Sequence, residues 1–409
     1  MALAVDAISS AADLEGVDPF LPEYRTDPYP LYHRLRELDP VHHSPAGPWV
    51  LTRHADATAV LRDPRFSPNP GHLHGERPQV GPRRLDTKVL LFLDPPDHTR
   101  IRSLASKAFT PSRVRQLRRR VEALVDELLD RVEEQGSLEL IADLAYPLPV
   151  SVICELLGVP AVERDTFRRW SSDASRMLDR DIDLDEQALA RGGEAISGFT
   201  EHFVALIEQR RREERDDLLS ALIAAEEGGE RLTWEELLST VILLFLAGHE
   251  TTVNLIGNGA LALLRHPDQL ERLRRDPALG PSAVEELLRY DSPVHVTARI
   301  ATTDLEVGGT PVSAGEQLIV LVAAANRDPA VFADPDRLDV GRADNRHLSF
   351  SAGMHYCLGA ALARLEGEVA LGALVRRFPR LELADPEPPY RDHLVLRGLQ
   401  SLPLSFSSR

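Results

Sequence analysis

The stretch Phe350-Ser351-Ala352-Gly353-Met354-His355-Tyr356-Cys357-Leu358-Gly359 decides how the chain is read. It puts one of only two cysteines directly ahead of an apolar series, Leu358, Leu362, Leu365 and Val369, that repeats at helical spacing. A thiol at a helix N-terminus faces the positive end of the backbone dipole and several unpaired N–H groups. Its pKa is therefore expected to fall, and its thiolate to be available as a metal ligand. Gly353 and Gly359 are expected to keep side chains away from a flat cofactor lying against the backbone. His355, two residues before the cysteine, is placed to meet an anionic edge of that cofactor. Read without its neighbours, Cys357 would be explained equally well as a packed core thiol.

Working outward, the next informative segment is Ala247-Gly248-His249-Glu250-Thr251-Thr252. It lies in the middle of a helical pattern that opens at Thr233, with a capping box to Glu236, and runs to about Arg265 before His266-Pro267 stops it. The pattern is far longer than the mean helix of about 11–12 residues, and its centre is apolar nearly all round, which predicts a helix crossing the interior. An acid and a hydroxyl there are costly unless they have partners or a task. Ala247 and Gly248 are small enough to let the helix pass close over a bound plane. The Thr251 hydroxyl can bond back to the Ala247 carbonyl and open a groove. The bland alternative is a solvated polar face.

Other metal and nucleotide signals are weak. His249-Glu250 begins like the His-Glu-x-x-His zinc signature, but Val253 stands where the second histidine is required. Gly257-Asn258-Gly259 lies inside the helix, so it is not a dinucleotide fingerprint. His72-x-His74 and His42-His43 are expected to be solvated histidines.

The cysteine segment resembles the haem-binding loop of the cytochrome P450 superfamily, Phe-x-x-Gly-x-(Arg/His)-x-Cys-x-Gly. Every fixed position is filled, by Phe350, Gly353, His355, Cys357 and Gly359, and the resemblance extends in order over roughly residues 20 to 405. One departure is Ser351, where related bacterial enzymes usually have glycine. The resemblance implies a mainly α fold with small β-sheets, one domain over residues 1–409, and haem b (iron protoporphyrin IX) ligated by Cys357. Thiolate ligation pushes electron density onto iron and favours O–O cleavage. Glu250 and Thr251 match the family's acid–threonine pair and are the candidate catalytic residues, with Ala247 and Gly248 beside the haem. His98 and Arg102, four apart on a predicted helix, together with Arg299 and His355, fall where related enzymes hold the two haem propionates. Glu286 and Arg289 match the structural Glu-x-x-Arg pair.

The implied activity is a monooxygenase that inserts one atom of O2 into a hydrophobic small molecule. A secondary metabolite of polyketide, macrolide or terpenoid type is the expected substrate class. Substrate contacts are expected from Leu93, Leu243, Leu244, Ala247, Val296 and Thr297. Electrons are expected from a ferredoxin or flavodoxin with its NAD(P)H reductase, docking near Arg113, Arg115 and Arg118 to Arg120. Two alternatives stand beside this reading: a peroxide-driven enzyme of the same fold, which Glu250 and Thr251 disfavour, and a non-catalytic haem sensor.

Composition sets the outer limits. The 409 residues carry 64 acids against 47 bases, a formal charge of −17, which argues against a nucleic-acid partner. Two cysteines exclude a disulfide scaffold and fit a reducing compartment, with Cys154 read as a packed helix thiol. The apolar run Val241 to Gly248 is under half the roughly 20 residues a bilayer requires, and no basic segment followed by an apolar one opens the chain. A cytoplasmic monomer without a membrane anchor is expected. Further predicted elements are a helix capped at Thr110 and ending at Gly136, strands at Trp49–Thr52, Gln317–Val322 and Leu394–Phe406, and a hairpin turning at Gly308-Gly309. Residues 64–96 read as a long irregular loop.

Overall fold

In the computed structural model, which describes residues 5, 8–73, 88–160, 164–179, 186–227 and 229–406, the organising element is the helix Trp234–Arg265. Its capping box forms as expected: Thr233 Oγ1 accepts from Glu236 N at 3.3 Å, and Thr233 N donates to Glu236 Oε2 at 3.0 Å. Glu236 also accepts from Arg100 Nη1 at 3.1 Å, which docks the helix Asp97–Ala108 on the long helix's first turn. The same short helix carries His98 and Arg102, so the cap indirectly positions two site residues.

Taken whole, Trp234–Arg265 is long and apolar enough to cross a membrane, with mean hydropathy 1.3 in its most apolar window, although the run Val241 to Gly248 alone is too short. Here it packs inside the protein. Phe245 meets Phe167 at 4.9 Å and Phe199 at 5.2 Å between ring centroids, joining it to the helices Arg164–Arg176 and Glu186–Arg212. Pro147–Leu157, which includes the buried Cys154, lies along another side. Ala360–Arg377 covers the far half, where every residue from Thr252 to Leu263 is buried.

The helix expected after Thr110 spans Pro111–Glu133, with Arg113 N donating to Thr110 Oγ1. Residues 74–87 of the expected irregular loop, including His74 and Pro82, lie outside the described residues.

Four small sheets are formed by the described residues, one of five strands, one of three and two of two. The five-stranded sheet runs in the order Val41–His43, Trp49–Leu51, Gln317–Leu321, Val296–Ala301, Phe66–Ser67. The hairpin at Gly308-Gly309 forms between Leu305–Val307 and Thr310–Val312. Two strand expectations are corrected. Val322 begins a helical turn, Val322–Ala325. Of Leu394–Phe406 only Pro403–Phe406 is a strand, between Leu381–Leu383 and Ser137–Glu139. The residues before it form a strap, Tyr390 to Leu402, pinned at Val294–Leu396 and Tyr390–Leu399 bridges and by charged side chains. His42 is also not solvated: it is buried, with Nδ1 2.8 Å from Asp39 and Nε2 2.8 Å from the Val17 carbonyl.

Candidate haem and oxygen site

The loop around Cys357 is closed by its own backbone. Ser351 N donates to Leu348 O at 2.7 Å and Cys357 N to Phe350 O at 2.9 Å, presenting the sulfur just before the first turn of Ala360–Arg377. Gly353 has φ +68°, and a Cβ there would come 2.5 Å from the Leu61 carbonyl. Its absent side chain is thus demanded by the turn and by the end of the helix His54–Arg62, not by a cofactor. Gly359 fits the original expectation better. A Cβ there would meet nothing within 4 Å except Cys357 Sγ at 4.0 Å, so the space beside the sulfur is open.

Cys357 is accessible from one side and crowded by protein on the others. Burial pushes its thiol up, and the Gly359 N–H with the charges of Arg102 and Arg364 only partly opposes this. The expected lowering therefore does not hold for the chain by itself: desolvation outweighs the helix terminus, and a bound cation has to displace the proton.

Two arginines and two histidines converge beside this loop. Arg102 donates to the Tyr356 carbonyl, and the His98 and His355 rings lie 4.2 Å apart between centroids. Arg299, on the strand Val296–Ala301, shares its face with Thr297, donating to Thr297 Oγ1 at 3.3 Å and to the Ala298 carbonyl at 2.7 Å. Burial depresses all four: Arg299 to about 10, His355 to about 3, and His98 and Arg102 in the same direction. Among the described residues, Asp94 is the only carboxylate whose charge registers on this group, at His98 and Arg299. His98 Nε2 and His355 Nε2 are buried without hydrogen-bond partners. Two guanidiniums, and two imidazoles that burial keeps neutral and whose Nε2 atoms lack partners, are what a group bearing carboxylates would complete, so the residues fit a haem with its propionates.

The long helix offers a second accessible surface. Ala247 is exposed in mid-helix, and Leu243, Leu244, Gly248 and Thr251 are half-buried, a set at helical spacing. Gly248 is less involved than expected, since a Cβ there would simply touch Ile153 of Pro147–Leu157 at 3.5 Å. Thr251 Oγ1 donates to the Ala247 carbonyl at 2.9 Å, as the sequence suggests. Glu250 points elsewhere. It is buried, accepts from Arg391 Nη1 at 2.6 Å through Oε2, and has Oε1 3.6 Å from His249 Nε2. Burial pushes its carboxyl up, but His249 and Arg391 outweigh that and hold it down at about 2. Arg391 was invisible to sequence reading: it lies 141 residues away in a segment with no periodic pattern.

Among the expected substrate contacts, Leu93 and Thr297 are half-buried. Val296 is corrected: alternation along its strand turns it away from Thr297, into a cluster with Phe20, Tyr29 and Tyr32.

Glu286 and Arg289 are fully buried, paired through two hydrogen bonds of 2.7 and 2.8 Å. Arg289 also donates to the carbonyls of Asn326, Pro335 and Arg337, and Glu286 accepts from Asp339 N, Arg342 and Asn345. The pair thus stitches together the irregular chain that leads to the cysteine loop. The arginine group after Thr110 is partly spent: Arg118 pairs with Glu368 at 3.0 Å and Arg120 with Glu155 at 2.7 Å, leaving Arg115 and Arg119 exposed.

The family profile described as Cytochrome P450 matches residues 49–278 and 279–406. The chain is a cytochrome P450. It is similar to the vitamin D(3) 25-hydroxylase of Pseudonocardia autotrophica, with 43% identity over 96% of this chain and 97% of that protein. It is also similar to the 6-deoxyerythronolide B hydroxylase of Saccharopolyspora erythraea, with 42% identity over 93% and 96%. The solved structure of P450BioI in complex with acyl carrier protein ligated to hexadec-9Z-enoic acid superposes with a TM-score of 0.87 at 39% identity, over 94% of this chain and 99% of that one. This P450 is accordingly a haem-iron monooxygenase of the bacterial type, which needs a redox partner and acts on hydrophobic molecules.

Proposed function

We propose that this P450 binds haem b through Cys357 and hydroxylates a hydrophobic secondary metabolite of polyketide, macrolide or terpenoid type. The observation that carries the site assignment is the cluster of His98, Arg102, Arg299 and His355, two arginines and two neutral histidines beside the one accessible cysteine. These four would pair with the propionates, and Gly359 would leave room at the sulfur. When bound, the haem supplies dioxygen activation and hydrogen abstraction from carbon. The chain's own part is to orient substrate and manage protons. Leu243, Leu244 and Ala247 offer an apolar wall, Thr251 a hydroxyl at the helix groove, and Glu250 the acid behind it.

The substrate class is supported by the macrolide-type and sterol-like substrates named in the two hydroxylases above, together with the apolar wall. A ferredoxin with its NAD(P)H reductase is the proposed electron source, reaching a cytoplasmic monomer by way of Arg115 and Arg119. The test is reconstitution with ferredoxin, its reductase and NAD(P)H, using a substrate panel scored by the spin shift of the ferric haem. The expected result is a product carrying one added oxygen. Equal turnover with hydrogen peroxide alone would favour the peroxide-driven alternative, and Cys357→Ala that keeps the carbon monoxide spectrum would overturn the ligand assignment.

A further inference from the structure

Arg299 is 5% exposed and has no carboxylate within ion-pair distance among the described residues; its hydrogen bonds go to Thr297 Oγ1 and the Ala298 carbonyl, both on its own strand. Guanidiniums are rarely buried without a counter-charge. The neighbouring strand brings one close. Phe66–Ser67 runs antiparallel to Val296–Ala301 and sets Ser67 opposite Ile300, one residue from Arg299. The buried Ser67 hydroxyl donates to Asp94 Oδ2 at 2.6 Å while its oxygen accepts from Asn69 N at 2.9 Å, so the carboxylate is fixed at the edge of the sheet.

A second element fixes the backbone of the same residue. His98 N donates to the Asp94 carbonyl at 3.0 Å, which holds Asp94 at the head of the helix that carries His98 and Arg102. His72 Nε2 lies 3.3 Å from Asp94 Oδ2, so both side-chain contacts fall on one oxygen. Oδ1 makes no hydrogen bond among the described residues, and the side chain is only 27% exposed. Asp94 thus stands between the strand of Arg299 and the helix of His98, and its charge opposes the effect of burial on both.

Two propionates would bring two negative charges to the same guanidiniums, and a fixed carboxylate beside them competes for those cations. Arg299 is enclosed, where charges act more strongly and are screened less than at the surface. We propose that Asp94 is a positioning residue for the haem: as a fixed anion it shares Arg299 with a propionate, and thereby weakens the hold on haem and lowers the midpoint potential of its iron. This rests on the propionate assignment made above. Reduction of ferric haem makes the site more negative by one charge, so an anion held nearby opposes it and a guanidinium released from that anion favours it. A carboxylate that merely anchored the loop predicts the opposite sign for haem retention, since losing an anchor loosens the site.

The experiment uses the full-length haem protein, each variant checked by its carbon monoxide spectrum. Midpoint potential is measured by spectroelectrochemical titration, and haem release by transfer to excess apomyoglobin. The proteins compared are the wild type, Asp94→Asn, Asp94→Glu, Arg299→Gln and the Asp94→Asn/Arg299→Gln double variant. Asparagine keeps an acceptor for the Ser67 hydroxyl and removes the charge. Asp94→Asn is expected to raise the potential and to slow haem transfer by at least about twofold, the low end of coupling between groups in one network. Asp94→Glu should return both toward the wild type. Arg299→Gln should lower the potential and speed transfer, and the effect of Asp94→Asn should shrink in that background.

An unchanged or lowered potential in Asp94→Asn, or haem transfer that is not slowed, overturns the inference. So does an undiminished effect in the double variant, or a glutamate variant that behaves like the asparagine one. Wild-type potential and haem transfer in Arg299→Gln overturn the propionate assignment instead. Should Arg299→Gln yield no haem protein, the sign of the two changes in Asp94→Asn decides the matter.

Discussion

The imidazoles of His98 and His355 face each other at 4.2 Å, one from a helix and one from the cysteine loop 257 residues later, and each leaves Nε2 buried without a partner. Burial keeps both rings neutral beside Arg102 and Arg299, and an arriving anion would match the two guanidiniums and give both rings a partner. His98→Ala and Arg299→Ala should therefore each weaken haem retention, and the double variant more so. The haem-to-protein ratio after gel filtration measures this. Full retention in the double variant would remove the propionate assignment.

Ser351 carries a positive φ of 62°, in a region that costs a residue with a Cβ about 1–2 kcal/mol, and its hydroxyl is buried without a partner. Ser351→Gly should relieve both and stabilise the fold by about 1 kcal/mol with an unchanged carbon monoxide spectrum. Thermal melting of the two holoproteins gives the comparison. A lower melting temperature for the glycine variant would mean that the hydroxyl has a role not evident in its surroundings.

Removing Arg289 leaves the buried Glu286 carboxylate with Arg342 alone as its counter-charge, and breaking such a buried pair costs about 3–5 kcal/mol. Arg289 also holds three carbonyls of the chain leading to the cysteine loop. Arg289→Ala is expected to lower the urea midpoint sharply and to accumulate as protein lacking haem. Normal haem content in this variant would show that the loop does not depend on the brace.

The response to acid should come in two stages. His295 is packed between Tyr29 and Tyr32, and burial holds it down at about 4 although Asp291 lies 3.6 Å away. Its unfolded value is near 6.5, so as pH falls the unfolded chain takes the proton first. The stability it contributes is complete above about pH 6.5 and drains away toward pH 4. Glu285 and Asp336 add a second loss. Burial pushes both up, but His347 with Arg364, and His33 with Arg327, hold each at about 2, so their contribution begins to fade near pH 4 and is gone by pH 2. His295→Gln should flatten the fall in melting temperature between pH 6.5 and 4 and leave the lower stage alone. An unaltered upper stage would assign it to another group.

Much of this architecture could be read before any coordinates. The cap at Thr233, the periodic helix behind it and the loop at Cys357 are local features, encoded within a few turns of chain. What escaped was non-local. Two strands of the five-stranded sheet, Trp49–Leu51 and Gln317–Leu321, were legible as segments, but Val41–His43, Val296–Ala301 and Phe66–Ser67, and the pairing of all five from opposite ends of the chain, were not. Val296 was misplaced because its strand was not recognised and its alternation could not be assigned to faces. Cys357 was given a lowered pKa because a helix terminus is visible in sequence and the crowding around a sulfur is not. Arg391 escaped for the same reason as the sheet: nothing local marks it as an arginine that reaches Glu250.

Protein synthesis is vectorial, and domains fold as they leave the ribosome. Glu250 is made 141 residues before its counter-charge, Arg391. A nascent chain that already contains the long helix and the cysteine loop would still have to bury a carboxylate with no arginine to meet it. Enclosure of Glu250 therefore waits on the strap that carries Arg391.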